Sequence, residues 1–435
     1  MSVVQVYPKG EYHYDNRGKS IDFHNLWGQF YWADVLDGLS NLVDLYRSKI
    51  QLIYIDPPFM TGQLFRYRQR IGDKGIIEHV AYRDQWKEGK KDFLDFMSQV
   101  FEYAYELLTP DGSFYVHVDY RTSAYLRILL DEIFGEDNFL NEIIWYYRSG
   151  GRSKKYFSRK HDNILFYRKS SEHFFNIDAV GVRRGSKKKN NMKKEVDEDG
   201  RIFWSIRSAG KVYRYYEDSK VYPSDVWTDI SHLHQRDPER TGYDTQKPEA
   251  LLERIILSSS RPGDYVGDFF AGSGTTLAVA TRLNRRWIGI DSSPHSVHVC
   301  RKRLLTQDKG KSFAIHYGNN YRSIEEPVLA VEKKQTCIKG AIINTIRLVD
   351  YKPPKDTVRD IKDNEDLGLV GLEHVDYWAV GCIKDGFFYP KSWVKRSDTH
   401  TMIKDTIELK ESMNNNDIAI HITDVWGNQF FYKFK

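Results

Sequence analysis

The chain has 435 residues, with 65 Lys and Arg against 60 Asp and Glu for a net charge of +5, and 14% of its residues are aromatic. That length excludes a small stapled scaffold and allows one large α/β domain with an appended piece, or two to three ordinary domains. The near-balanced charge leaves any polyanion-binding surface to local clusters. Its three cysteines, Cys300, Cys337 and Cys382, stand far apart without a C-x-x-C pair, which argues against a disulfide framework or a structural zinc site and for a reducing compartment. The first twenty residues are polar, without the apolar core of a signal peptide, and no run approaches the ~20 apolar residues of a membrane span. A soluble, cytoplasmic protein with no membrane partner and no bound metal is expected.

In chain order, residues 29–34 read as a strand, 35–47 as a helix and 50–56 as a second strand. The second strand runs into Asp56-Pro57-Pro58-Phe59. Neither proline has an N–H for a central ladder, so the strand must stop at Asp56 and leave a stiff loop carrying one carboxylate and one ring. On its own this is equally a strand-ending turn. Residues 92–108 place Phe93, Met97, Val100, Phe101, Ala104 and Leu108 on one helical stripe, closed by the turn T-P-D-G. A strand over 113–119, a helix over 125–135 and a pair of strands over 141–147 and 163–169 follow.

Between about 170 and 245 that rhythm is lost and the chain becomes polar, basic and aromatic, as an insertion would. Regularity returns with a helix over 247–260, where Pro248 suits a first turn, a strand over 264–270, the turn A-G-S-G, a helix over 275–284 and a strand over 286–291. Past 310 short β-prone stretches such as 418–434 suggest a separate C-terminal module. Alternating strands and helices predict a doubly wound, mostly parallel α/β sheet.

The second chemistry-bearing stretch is D-F-F-A-G-S-G-T-T, Asp268 to Thr276. Gly272 and Gly274 let a ligand approach the backbone at a strand-to-helix turn, and the next helix turns its N-terminal N–H groups toward it. A phosphate loop would need Lys where Ser273 stands, and the dinucleotide fingerprint would need Gly where Leu277 stands. What remains is a nucleotide or nucleoside site with acids at two strand ends, Asp268 and Asp291, the latter suited to a ribose diol.

Taken together, residues 53–62 and 244–291 closely resemble the S-adenosylmethionine-dependent amino-methyltransferases of DNA, the DNA methylase N-4/N-6 family. The resemblance covers about residues 25–310. The acid-Pro-Pro motif precedes the glycine turn, the order of the circularly permuted beta group. It implies a Rossmann-like sheet with residues 1–169 as catalytic part, 170–245 as target-recognition insertion, 246–310 as cofactor part and 311–435 as a small C-terminal module of unassigned role.

The resemblance also assigns residues. Asp56, Pro57, Pro58 and Phe59 would act on the base. Asp268, Phe270, Gly272, Gly274 and Asp291 would form the cofactor loop and ribose site, Lys247 and Pro248 would stand beside the cofactor's methionine end, and Thr275 near its carboxylate. Asp34 resembles the acid that meets the adenine amine of the cofactor, although Ala33 replaces the usual Gly and a plain helix N-cap is the alternative. Asp56 and the Pro57 carbonyl would accept both hydrogens of an exocyclic amine on a flipped base, with Phe59 stacked on it. No Pro-Cys pair occurs for ring-carbon methylation, and Asp-Pro-Pro-Phe leans to adenine over cytosine. DNA contacts are expected from Arg148, Arg152, Lys154 and Lys155 and from Lys187, Lys188 and Lys189, runs that otherwise read as solvated faces. The partners implied are double-stranded DNA, a cognate restriction endonuclease and a second copy of the chain. Methylation of RNA or of a protein amide is the competing enzymatic reading, and a nucleic-acid-binding module with a vestigial site the non-enzymatic one.

Overall fold

The computed structural model describes residues 3–6, 8–13, 26–147, 153–185, 192–307, 311–318, 326–338, 341–355, 357, 367–410 and 418–434. Its centre is a run of parallel strands in the spatial order Phe313–Tyr317, Gly28–Trp32, Arg286–Asp291, Tyr265–Asp268, Ile50–Ile55 and Leu108–Val118. Period-2 alternation sends successive side chains to opposite faces. Leu52, Tyr54 and Trp287 therefore pack with helices Glu249–Ser259, Thr275–Arg282 and Pro294–Thr306. Ile53, Ile55 and Ile288 pack on the other side with helices Val35–Tyr46, Lys90–Leu107 and Ser123–Phe134. The sheet is thus doubly wound, as expected, and its strands are apolar on both faces because both are covered.

Strand order reverses between Tyr265–Asp268 and Ile50–Ile55. From the first the chain moves toward Arg286–Asp291; from the second it moves the other way, to Leu108–Val118. In an open α/β sheet this switch point opens a crevice at the carboxyl ends of the strands. The motif-bearing residues Asp268 and Asp56 stand at those two ends.

Two features lie beyond the elements read from the sequence. A hairpin, Leu64–Ile71 with Gly75–Arg83, follows the acid-Pro-Pro loop and is tied to the stretch before Lys247 by a Tyr67–Tyr243 bridge and by Arg68 paired with Asp244. Second, the sheet does not stop near 310. Phe313–Tyr317 lies inside it, between Gly28–Trp32 and Gly10–His13, and Phe387–Lys395, Val375–Lys384, Ile418–Asp424, Gln429–Phe434 and Val3–Val6 continue it beyond that; with His161–Arg168, Phe139–Tyr146 and Val226–Trp227 at the opposite edge the sheet has 15 strands. Helix Pro294–Thr306 fastens this extension: buried Arg301 bonds Glu11 and Gln429, and Asp376 takes His298, Lys302 and Arg396. The middle region folds into small pieces, among them a three-stranded sheet of Lys193–Val196, Ile202–Ser208 and Lys211–Tyr216.

Candidate active site

Strand Ile50–Ile55 is buried throughout and delivers Asp56 to the rim of the crevice. One carboxylate oxygen, Oδ2, accepts from Lys247 Nζ at 2.5 Å. The other, Oδ1, is buried without a hydrogen-bond partner, a costly state for a carboxylate oxygen unless a donor arrives. The Phe59 ring lies 6.1 Å from the ring of His117 at 17° and 5.6 Å below Lys247 Nζ. His117 is itself fixed, with Nδ1 2.9 Å from Tyr54 Oη and Nε2 3.2 Å from Asp162 Oδ2.

Behind the prolines, buried Asp84 clamps the loop. Its carboxylate accepts from the N–H groups of Met60 and Thr61 at 3.1 and 2.7 Å, from the Thr61 hydroxyl at 2.8 Å and from Trp86 Nε1 at 3.2 Å. Met60 is held at φ +55°, a left-handed conformation unusual for a residue with a side chain. The Asp84 bonds on either side of its carbonyl offset that strain.

The glycine turn is built around the two acids. Asp268 Oδ1 accepts from Phe270 N at 3.1 Å. Asp291 grips the turn from the neighbouring strand, with Oδ2 accepting from Gly272 N and Oδ1 from Ser293 N, both at 2.8 Å. Gly272 and Gly274 have φ of +48° and +72°. A Cβ on Gly272 would meet nothing nearer than 3.7 Å, whereas one on Gly274 would come within 2.6 Å of Cys300 Sγ. The first glycine leaves room for a ligand; the second allows close packing of the helix that follows Asp291. Thr275 donates to the Lys247 carbonyl at 3.2 Å and accepts from Arg303 at 3.1 Å. Burial pushes the Asp268 carboxyl up to about 7, with Asp56 and Asp291 adding to the effect against hydrogen bonds from Thr276 and Phe270. Burial raises Asp291 as well.

The acid of the loop and the glycine turn meet at one cavity of about 440 Å³. Of the residues singled out in the sequence, Asp34, Asp56, Pro58, Lys247, Asp268, Phe270, Gly272, Thr275 and Asp291 line it. Pro57, Phe59, Pro248 and Gly274 are outside its lining; Pro248 is the N-cap of helix Glu249–Ser259, one position ahead of the first turn. Asp34 caps helix Val35–Tyr46 through Leu36 N at 3.0 Å, the plain N-cap the sequence allowed, and it also lines the cavity. Lys154 and Lys155 are exposed. Arg148, Arg152, Lys187, Lys188 and Lys189 lie outside the described residues.

Sequence reading missed the aromatic wall formed by Tyr82, Trp86, Phe96 and Tyr243. Tyr82 was within reach of it, because the stretch after the G-D-K-G turn holds the strand-prone Ile76, Ile77, Val80 and Tyr82. Tyr243 was not, because its place depends on pairing with Tyr67, a residue far earlier in the chain.

A family model for DNA methylases matches residues 50–302. The chain is 32% identical over 321 residues to the type II methyltransferase M.EcaI of Enterobacter cloacae, covering 63% of this chain and 69% of that one. It is 30% identical over 324 residues to the DNA adenine methyltransferase YhdJ of Escherichia coli (strain K12), covering 73% and 92%. Among solved structures it is similar to the PvuII DNA methyltransferase (cytosine-N4-specific), 19% identical over 65% of this chain and 87% of that one, at a TM-score of 0.42.

Proposed function

The chain belongs to the DNA methylase family, and on that premise we propose that it methylates the exocyclic amino nitrogen (N6) of adenine in double-stranded DNA at specific sites, with S-adenosylmethionine as cofactor. One observation carries the reading: the partnerless oxygen of Asp56 and the glycine turn under Asp268 and Asp291 belong to one cavity at the switch point of the sheet.

The residues present suit that cofactor. The cavity has the size of a small-ligand site, its glycine turn is open at Gly272, and two cations, Arg83 and Lys247, stand against four acids, Asp34, Asp56, Asp268 and Asp291. That excess of acids around the cavity suits a cationic ligand. When bound, S-adenosylmethionine supplies an electrophilic methyl group on a sulfonium. Asp291 would hold its ribose hydroxyls, Asp34 its adenine amine, and the turn from Asp268 through Phe270, Gly272 and Gly274 its nucleoside body. Thr275, Lys247 and Pro248 would stand at its methionine end.

The acid-Pro-Pro loop acts on the base. An aromatic amine is a poor nucleophile because its lone pair is delocalised into the ring. Asp56 Oδ1 is the open acceptor for one amino hydrogen and the Pro57 carbonyl for the other, which draws the nitrogen toward tetrahedral geometry and frees its lone pair. Lys247 keeps Oδ2 occupied, so the acid presents a single oxygen to the base. Phe59, backed by His117, would stack on a base turned out of the duplex, and Pro57 and Pro58 with the Asp84 clamp keep this geometry fixed.

Adenine is favoured by the Asp-Pro-Pro-Phe motif and by a relative named a DNA adenine methyltransferase. Residues 170–245 serve as the target-recognition region and the basic runs contact phosphates. Relatives named type II methyltransferases support a place in a restriction-modification system beside a cognate endonuclease. A cytoplasmic homodimer completes the reading. Methyl transfer from labelled cofactor to DNA, RNA and protein offered in parallel tests it: label in DNA alone is expected, and label in RNA or protein but not DNA refutes it.

A further inference from the structure

Strand His161–Arg168 runs antiparallel to Leu108–Val118, with Asn163 opposite Val118, so the residues just before it project from the same edge of the sheet as Asp56. They read S-K-K-Y-F-S-R-K, residues 153–160, without an acid among them. Their foot is fixed beside the base-handling loop. Tyr147 N donates to the Lys160 carbonyl at 2.9 Å, Tyr147 Oη donates to Asp162 at 3.0 Å, and Asp162 holds His117, the ring that backs Phe59. The tip is a formed turn: Ser153 Oγ accepts from Lys155 N and Tyr156 N at 3.2 and 3.3 Å, and Ser158 Oγ accepts from Ser153 N at 3.2 Å. Arg159 is taken up by Tyr120, its guanidinium 3.8 Å over that ring and 2.6 Å from the hydroxyl. Phe157, at the tip, is 99% exposed.

A wholly exposed phenylalanine on a structured, acid-free turn between lysines gains nothing from the fold. Resting on the reading that the enzyme turns a base out of duplex DNA, we propose that Phe157 is the wedge that enters the duplex where the base has left. Extruding a base leaves its neighbours without a stacking face, and an inserted aromatic side chain supplies one. Lys154, Lys155 and Arg159 would hold the phosphates on either side. The occupant of this surface is therefore the duplex at the target step.

The test compares Phe157→Ala and Phe157→Trp on a duplex carrying the methylation motif and on the same duplex with the target base opposite an abasic position, where extrusion costs less. Phe157→Ala is expected to lower kcat/KM about 10- to 100-fold on the intact duplex and less than about 3-fold on the abasic one, with cofactor affinity and Tm unchanged. Phe157→Trp should stay near wild type on both. An equal loss on the two substrates, or no loss on either, overturns the wedge. Wild-type protein that methylates neither substrate refutes the underlying reading and the wedge with it, whereas wild-type activity combined with an indifferent Phe157→Ala refutes the wedge alone.

Discussion

Gly274→Ala probes how the turn below the cavity is built. The residue sits at φ +72°, and an added Cβ would stand 2.6 Å from Cys300 Sγ, 3.4 Å from Cys300 Cβ and 3.6 Å from its Cα. Holding alanine in the left-handed region costs about 1–2 kcal/mol. Forcing the buried thiol aside costs about 1–3 kcal/mol more, because Cys300 lies in the packed face of helix Pro294–Thr306 and cannot swing away freely. Gly274→Ala should therefore lose about 2–5 kcal/mol by equilibrium urea unfolding and should weaken S-adenosylmethionine binding in calorimetry. Cys300→Ala removes the Sγ atom and leaves only ordinary contacts, so the double variant should recover the steric share and keep the backbone share. The double-mutant cycle then shows a coupling of about 1–3 kcal/mol in favour of the pair. Additive losses within about 0.5 kcal/mol would refute this account of the turn.

Asp268→Asn tests the buried acid. Because folding raises this carboxyl to about 7, the folded state binds its proton more tightly than the unfolded one, and the residue's contribution to stability falls as pH rises from about 4 to about 7. The unliganded Asn variant should gain on wild type across that window, by about 4 kcal/mol at most above it, and a difference flat with pH would contradict the burial argument. Asp291→Asn keeps one acceptor oxygen but gives up the carboxylate that grips both Gly272 N and Ser293 N. Cofactor affinity should fall before the turnover of bound cofactor does, and unchanged affinity would rule out the ribose role. Replacing Lys154 and Lys155 by Ala should flatten the slope of log Kobs against log salt by about 1–2 for any DNA sequence, and an unchanged slope would mark both as solvated.

The parallel sheet was legible because each buried strand and covering helix carries its own period. Ile50–Ile55 and helix Lys90–Leu107 declare themselves within a dozen residues. The site was legible where function breaks those periods, at Asp56-Pro57-Pro58 and at Gly272 and Gly274, whose positive φ explains the choice of glycine. What escaped depends on partners distant in the chain. Nothing near residue 247 announces that Lys247 will meet Asp56, 191 positions away, and nothing near 313 says that this strand will lie beside Gly28–Trp32. Asp84 was hidden differently, since an acid after a strand reads as an ordinary turn residue until its four donors are seen.

The central claim is that Asp56 and the Pro57 carbonyl prepare the amino nitrogen of adenine for methylation. Nucleoside mass spectrometry of DNA incubated with S-adenosylmethionine and either the wild-type protein or Asp56→Ala addresses it most directly. The account predicts N6-methyladenine with the wild type and none with Asp56→Ala, whose cofactor binding persists. N4-methylcytosine alone would overturn the choice of base, and undiminished methyladenine with Asp56→Ala would contradict the mechanism itself.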